Sequence, residues 1–530
     1  MKKISSYFGL LLLVIGFVCS CTSSPEYGKM IPNDALFVMS MNVQEAAERS
    51  ELGDATLLKE QIDKSLAHAK MPPATREQLK EIMENPQKTG FDFREPILFF
   101  SAASFPNKYG LVGSVSDQDD LEDFFQMLYK EGVCTSVLET DGLRYTQFKD
   151  MVLAFNEEFF FATGMVEGQT SVSEVLGGFQ KLMALPAERS MQNNEVFGDM
   201  LERDGFMHML YLGSGIDMLA KELHLSEEEM QKMMPKEVQI EEIGCVIDVD
   251  LKKGEVSLVS EILPLSDQAE EWLDQKASEV YGNLEGTLTD YISQDALCFG
   301  YGNIQGAALF QQLKLYPDFL EAIEAEPEKG KVFENILSDF QGDIAFSVET
   351  AQTAAGVPEF SLFADTKEQS WLHWVENGEL NDVQKIDDRT YAWEMPDPQY
   401  LAYDQTARGT TDIPTVGTAV FGAKKGISYL LFGKSAKTFE LVERPVQVNS
   451  EYTGYFRLNA EQLLNLEFVK QQLGPIAFLP YKKVVGLFDY AEWYMEDGRK
   501  STFRIVMRNK EQSPVKTVYD EVEKILQIFG

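Results

Sequence analysis

The stretch Ile31-Pro-Asn-Asp-Ala-Leu-Phe-Val-Met-Ser-Met-Asn42-Val-Gln-Glu-Ala-Ala47 decides the fold, because the chain contains it twice. Displaced by 261 positions it returns as Ile292-Ser-Gln-Asp-Ala-Leu-Cys-Phe-Gly-Tyr-Gly-Asn303-Ile-Gln-Gly-Ala-Ala308. Eight of the 17 paired positions are identical, where average composition gives roughly one. Residues 35–41 are apolar or small with β-favouring members, the pattern of a short buried strand. Asn42 then stands where a helix N-cap belongs, and Glu45 three residues on gives a capping-box spacing. Asn303 takes the same place in the second copy. A fainter echo, Phe456-Arg-Leu-Asn459-Ala-Glu-Gln462, repeats the Asn, and a fourth, Leu210-Tyr-Leu-Gly-Ser214, has lost it. The predicted unit is strand, Asn cap, helix. Asn42, Asn303 and Asn459 are assigned to helix capping rather than to a ligand.

Further matches keep their order along the chain. Asp92-Phe93, Ile97 and Phe99 recur as Asp339-Phe340, Ile344 and Phe346 at an offset of 247. Leu121 and Phe124 recur as Trp371 and Trp374, and Gly254 as Gly498. The offset falls between the first and second anchors, so the second copy has the shorter helical arm. The pattern predicts an α+β protein built by tandem duplication, each half a mainly antiparallel sheet with packed helices. The expected boundaries are 31–285 and 286–530. Residues 395–417 have no counterpart of similar length and read as an inserted loop. Its Tyr400, Tyr403 and Arg408 are the candidate partner contacts.

Within the first half, Thr75 with Gln78 marks a capped helix. Ile97–Ser101 and Gly110–Val115 read as strands, and 151–155 with 159–163 and 245–251 with 255–263 as hairpins. Ser116 is the expected cap of a helix whose Leu121, Phe124, Phe125, Leu128 and Tyr129 form one apolar stripe. The acids at 117–123 crowd its first turns, where the helix dipole favours them, and lack the spacing of a calcium loop.

The first twenty residues are a processing signal. Lys2 and Lys3 precede the apolar run Leu10–Val18, which ends at Val18-Cys19-Ser20-Cys21. That ending resembles the lipobox of bacterial lipoproteins, in which the cysteine is lipidated and becomes residue one. Residues 1–20 are then a lipoprotein signal peptide, 21–30 a tether, and Cys21 the lipidation site. No acidic cluster stands directly after Cys21, as in what resembles a surface-export signal, and no Asp at the next position, as in what resembles an inner-membrane retention signal. The resemblance thus favours an outer-membrane lipoprotein facing the periplasm, with the cell surface as the alternative.

The formal charge of −38 repels phosphate backbones and anionic headgroups and excludes nucleic acid as a partner. Cys134, Cys245 and Cys298 lie in apolar, strand-like contexts and read as buried free thiols. The four histidines, His68, His208, His224 and His373, show no metal-ligand spacing. No Gly-x-Ser-x-Gly elbow occurs, and Gly426…Gly433-Lys434-Ser435 has its glycines too far apart for a phosphate loop. No catalytic residue, metal or cofactor is assigned. The 35 phenylalanines are assigned to a core.

With the lipobox, Ile31–Ala35, and Pro86…Gly90-Phe-Asp92 before the strand Pro96-Ile-Leu-Phe-Phe100, the chain resembles a family of Gram-negative lipoproteins, domain of unknown function 4836. The resemblance implies an envelope lipoprotein and brings no activity with it. The expected function is non-enzymatic: a protein held to the membrane through the lipid on Cys21 that binds or scaffolds an envelope protein, peptide or glycan. The alternatives are an envelope hydrolase and a carrier of an apolar ligand.

Overall fold

The structure is a computed structural model that describes residues 26–54, 72–105, 109–165, 171–216, 238–314, 317–352, 357–369, 371–376, 383–396, 415–433 and 441–529. Its strands in chain order begin with β1 (Ala35–Met41), β2 (Ile97–Ala102), β3 (Tyr109–Ser114), β4 (Leu138–Thr140) and β5 (Leu143–Gln147). Then come β6 (Met151–Phe155), β7 (Phe159–Gly164), β8 (Met207–Leu212), β9 (Ile243–Lys252) and β10 (Glu255–Pro264). The later strands are β11 (Tyr281–Gly282), β12 (Cys298–Gln305), β13 (Phe340–Gln352), β14 (Pro358–Thr366), β15 (Val383–Asp387) and β16 (Thr390–Pro396). The last are β17 (Thr415–Lys424), β18 (Ile427–Phe432), β19 (Tyr452–Asn459), β20 (Phe488–Glu496) and β21 (Lys500–Met507). The α-helices are α1 (Val43–Ser50), α2 (Pro73–Glu84), α3 (Gln118–Lys130), α4 (Val172–Met183), α5 (Glu195–Leu201), α6 (Asp267–Val280) and α7 (Gly306–Leu313). They continue with α8 (Pro317–Ala325), α9 (Pro327–Asp339), α10 (Trp371–Glu376), α11 (Ala460–Leu463), α12 (Glu467–Val485) and α13 (Pro514–Phe529).

Two compact units emerge, and their limits are not those of two contiguous halves. The first takes the described residues up to 216, Ile240–Leu263 and the C-terminal segment from Asn509; the second takes Val238, Gln239 and Pro264–Arg508. Residues 264–285, read from sequence as the end of the first half, thus group with the second unit. Local bonds explain why the last helix belongs to the first. The Ser513 amide at the start of α13 donates to the Glu51 carboxylate at 2.8 Å, and Gly254 N–H donates to Gln512 C=O at 2.9 Å. An acid at a helix N-terminus is favoured by the dipole. Gly254 sits at φ +71°, and a Cβ there would lie 2.7 Å from Lys510 Cα.

In the first unit the strand order is β10–β9–β8–β1–β2–β3–β7–β6–β5–β4. The sheet is antiparallel and carries a core on each face. On β7, Phe159 and Phe161 enter one core and Phe160 and Ala162 the other, because successive side chains alternate faces. That double burial accounts for the uninterrupted apolar run Phe159–Ala162. Leu121, Phe124 and Phe125 of α3 close one core; Val175, Leu176, Phe179 and Leu182 of α4 close the other, with Phe161 and Phe179 ring centroids 3.9 Å apart. Burying each such side chain contributes roughly 1.5–3 kcal/mol.

The second unit has the order β21–β20–β19–β12–β13–β14–β18–β17–β16–β15, again antiparallel, with β11 also on β12. Position for position, this is the order of the first unit. The registers agree as well. Met39 and Met41 face Phe99 and Ile97, while Gly300 and Gly302 face Phe346 and Ile344. These are the residues that offsets of 261 and 247 bring into correspondence. Phe299, Tyr301, Ala345, Phe363, Val420 and Leu431 form its main core, capped by Leu284, Leu288 and Ile292.

Some local expectations shift. Helix α3 is capped by Asp117, whose carboxylate accepts from the amides of Asp119 and Asp120, whereas Ser116 donates its hydroxyl to Phe91 C=O. A carboxylate is the stronger acceptor, and it lies one residue nearer the first turn. Helix α2 begins at Pro73, not at Thr75, whose hydroxyl instead donates to Glu131 at 2.9 Å. Gly426 is a hairpin turn between β17 and β18, at φ +84°. Lys434 and Ser435 lie outside the described residues, as do 55–71 of the first helical arm.

Candidate binding surface

The three asparagines assigned as caps have three different roles. Asn42 does cap α1: its Oδ1 accepts the Glu45 amide at 2.9 Å. Asn303 does not cap. It lies inside β12, which runs on to Gln305, and its amide donates to Asp343 Oδ1 at 3.1 Å. The following helix α7 starts only at Gly306, where a Cβ would meet Leu337 C=O at 1.8 Å. Asn459 occupies the N-cap position of α11 but makes no side-chain cap bond. Its amide donates to the carbonyls of Gln294 (3.0 Å) and Ala296 (2.6 Å). Partner strands cause the difference. β2 has 6 residues and stops opposite Met41, whereas β13 has 13 and holds β12 extended past Asn303.

Asp343, 1% exposed, is the hub beneath Asn303. It accepts from the amides of Glu285 and Thr287, both at 3.0 Å, from the Thr287 hydroxyl and from Asn303. Thr287 also donates to Asp365, whose carboxyl is raised by burial. The set fastens residues 284–292 over the sheet and leaves its acceptors engaged.

Of the residues proposed as contacts, Tyr400, Tyr403 and Arg408 lie outside the described residues, as does Cys21. The strands either side of that insertion are paired, Met395 with Gly417 and Pro396 with Thr415. The pairing absorbs both ends of the segment read as a loop.

A more complete surface stands on β19, β20 and β21. Cross-strand pairing puts Tyr455 opposite Tyr494 and Arg457 opposite Glu492, and sets Glu492 opposite Arg504. One face therefore gathers tyrosines, Arg457, Arg504 and Glu492, with the Glu496–Lys500 ion pair at its end beside Tyr452. Glu492 is buried, accepts from Tyr455 OH at 2.8 Å and from Arg504 Nε at 2.9 Å, and forms a second bond to the Arg504 guanidinium. Tyr452 stacks on Tyr494 with centroids 4.4 Å apart and planes 13° apart. Arg457 lies over the Tyr490 ring at 3.7 Å, a cation–π contact, and donates to the neutral Asn459 Oδ1 at 3.0 Å. These side chains are half-buried. Burial and, next, the Glu492 carboxylate raise the phenols of Tyr455 and Tyr490, and burial raises Tyr452, so the hydroxyls stay protonated. Arg457, Arg504 and Lys500 against Glu492 and Glu496 leave the patch a net cation on a chain of charge −38. Glu492 is already held by Arg504 and Tyr455, and Glu496 by Lys500. Tyr452 and Tyr455 also pack against the core of the second unit, so the patch presents half-buried rings and hydrogen-bond donors rather than a base.

The equivalent strands of the first unit are closed by charge pairing. Asp248 on β9 accepts from His208 Nδ1 at 2.8 Å and Arg203 at 3.0 Å, and Arg203 also reaches Glu261 at 2.6 Å. His208 and Asp248 are buried. A buried pair of this kind fixes structure and presents no aromatic face. Cys245, on the same strand, has its thiol pushed up to about 11 by burial and then by Asp248. Cys134 and Cys298 are likewise free and half-buried. Among the described residues no group of three or more His, Cys, Asp or Glu side chains is placed to hold a metal ion.

Sequence reasoning passed over the tyrosine face, although its signal was present. Tyr490-x-Glu492-x-Tyr494 and Tyr455-x-Arg457-x-Asn459 have the two-residue period of strands with one polar-aromatic side. The partnership of the two segments lies in the pairing.

A family model described as "Domain of unknown function (DUF4836)" matches residues 27–394. The chain belongs to the DUF4836 family. No curated protein matches it. Among solved structures it is similar in part to three crystal forms of TP0453. Form IV shows 12% identity over 45% of this chain and 81% of that one, with a TM-score of 0.27. Form I gives 12%, 46%, 80% and 0.26, and form III 10%, 48%, 86% and 0.26. Superpositions of that quality carry neither fold nor function across.

Proposed function

We propose that this DUF4836 protein is a non-enzymatic, lipid-anchored envelope protein that binds a polar partner, a peptide or glycan, on the β19–β21 face of its second unit. The observation that carries the proposal is the set Tyr452, Tyr455, Arg457, Tyr490, Tyr494 and Arg504 around the engaged Glu492. Rigid aromatic rings and arginines are the side chains that concentrate binding energy at interfaces. The anchor rests on the lipobox-like Val18–Cys21, with an outer-membrane, periplasm-facing position.

The finer architectural proposal is duplication. It is supported by the identical strand order of the two units and by registers that match at the sequence offsets. Each sheet is itself centred on an antiparallel pair, β1 with β8 and β12 with β19. These four strands contain, or directly adjoin, the four echoes of the opening stretch, which supports a four-fold ancestry. Only the copy on β19–β21 carries the tyrosine–arginine set. The first unit is then the fixed partner and the second the binding one.

The test is calorimetric titration of residues 22–530 with peptidoglycan-derived glycans and with peptide mixtures, beside the variant Arg457→Ala/Tyr490→Ala. Binding by the native chain that the variant loses supports the assignment. Binding equal in both places the site elsewhere. Separately, Cys21→Ala moves the protein out of the membrane fraction if the anchor is as proposed. Experimental coordinates in which β1–β3 and β12–β14 do not superpose refute the duplication.

A further inference from the structure

Helix α12 shows three large apolar side chains to solvent, beside the exposed Gln471, Gln472 and Lys482. Its sequence, Glu467-Phe-Val-Lys-Gln-Gln-Leu-Gly-Pro-Ile-Ala-Phe-Leu-Pro-Tyr-Lys-Lys-Val-Val485, has no single apolar stripe. A helix with apolar residues all round belongs in a core or in lipid. Here it is in neither. Ile476 is 82% exposed, Leu479 49% and Leu473 37%. The helix bends at Gly474, whose φ of 65° and ψ of 171° no α-helix accommodates, and Pro475 starts the second segment with its ring and missing N–H. Leu473 stands immediately before the bend, and Ile476 and Leu479, three residues apart on one side of the second segment, follow it; these three form the apolar knuckle.

Charge says what covers the knuckle. Across residues 467–486 there is one acid, Glu467, and three lysines, Lys470, Lys482 and Lys483, a net +2 on a chain of −38. Lys470 is paired with Glu467 at 2.7 Å, so the net charge comes from Lys482 and Lys483 on the C-terminal side of the apolar residues, and Lys482 is exposed. Apolar side chains flanked by lysines fit the interfacial zone of an anionic bilayer, with chains buried about 5–10 Å deep and ammonium groups at headgroup level. Anionic lipid satisfies both features, the apolar tip and the lysines beside it. No helix among the described residues is long and apolar enough to cross a membrane, so the contact lies on the surface.

We propose that the α12 knuckle, Leu473, Ile476 and Leu479 with Lys470, Lys482 and Lys483, inserts into the interface of an anionic phospholipid bilayer, a second membrane contact independent of the lipid on Cys21. Residues 22–530, which lack the acylated cysteine, are mixed with vesicles of phosphatidylethanolamine and phosphatidylglycerol and sedimented, with phosphatidylcholine vesicles in parallel. The native chain is expected to co-sediment with the anionic vesicles, and added salt is expected to weaken it. Ile476→Asp/Leu479→Asp is expected to lower the partition roughly tenfold or more. Lys482→Glu is expected to lower it for anionic vesicles only. Both variants change exposed side chains, and an unchanged melting curve verifies the fold. Equal partition of native and Asp-substituted chains overturns the proposal. So does concentration-dependent self-association that the Asp variant abolishes without any vesicle binding, since the knuckle then meets a second copy. The Cys21 anchor and the tyrosine face take no part in this readout.

Discussion

Asn42 and Asn303 occupy identical places in two copies of one motif, so the same substitution at each separates local from tertiary causes. Asp caps a helix as well as Asn, and its charge is favoured there by the helix dipole. Asn42→Asp keeps an acceptor for the Glu45 amide and is expected to change stability by no more than about 0.5 kcal/mol. Asn303→Asp removes the donor to Asp343, 3.1 Å away, and puts a second carboxylate in its place. Both residues are at most 2% exposed, so solvent screens little. Two unit charges about 4 Å apart repel by about 4 kcal/mol at an effective dielectric of about 20. The folded chain escapes part of this by holding a proton, so one of the two carboxyls is raised above its unfolded value of about 4. The sign follows: the penalty is absent below about pH 4 and grows as pH rises through the raised folded value. Urea unfolding at several pH values, with hydrogen exchange resolving the β12–β13 peptides from those of β1–β2, measures both variants. A cost for Asn303→Asp below about 1 kcal/mol at pH 7, or an equal cost for Asn42→Asp, refutes the assignment of Asn303 to Asp343.

Glu492→Ala removes the partner of Arg504 and Tyr455 and is expected to destabilise the second unit by about 3 kcal/mol, read by urea unfolding. Cys245, its thiol raised to about 11, is expected to react with a thiol reagent at pH 8 roughly a hundredfold more slowly than an unhindered cysteine, as followed by mass spectrometry. A chain ended at Arg508 loses the bonds from Ser513 to Glu51 and from Gly254 to Gln512. Hydrogen exchange is then expected to rise around Glu51 and Gly254 in the first unit, although the cut lies at the far end of the sequence.

Much of the scaffold was legible. The apolar stripe of α3, the hairpins β6–β7 and β9–β10, and the offsets that align β1 with β12 and β2 with β13 follow from periodicity, turn residues and self-similarity. Those signals are carried by residues within a few positions of one another. The Ser116 cap failed by one residue, because Asp117 offered a stronger acceptor to the same turn.

What the chain's own order of residues determined was therefore the local grammar: which segments extend, which coil, and where the opening stretch recurs. What only the tertiary structure decided was who meets whom. The length of β13 turned Asn303 from a cap into a ligand of Asp343, and Gln512 and Ser513 drew α13 to the first unit. Pairing of β19 with β20 and of β20 with β21 assembled tyrosines and arginines from three separate segments into one face. Side-chain period and capping are short-range preferences of about a kcal/mol, whereas strand partnership and burial are set by residues hundreds of positions apart, and where the two conflict the larger burial energy prevails.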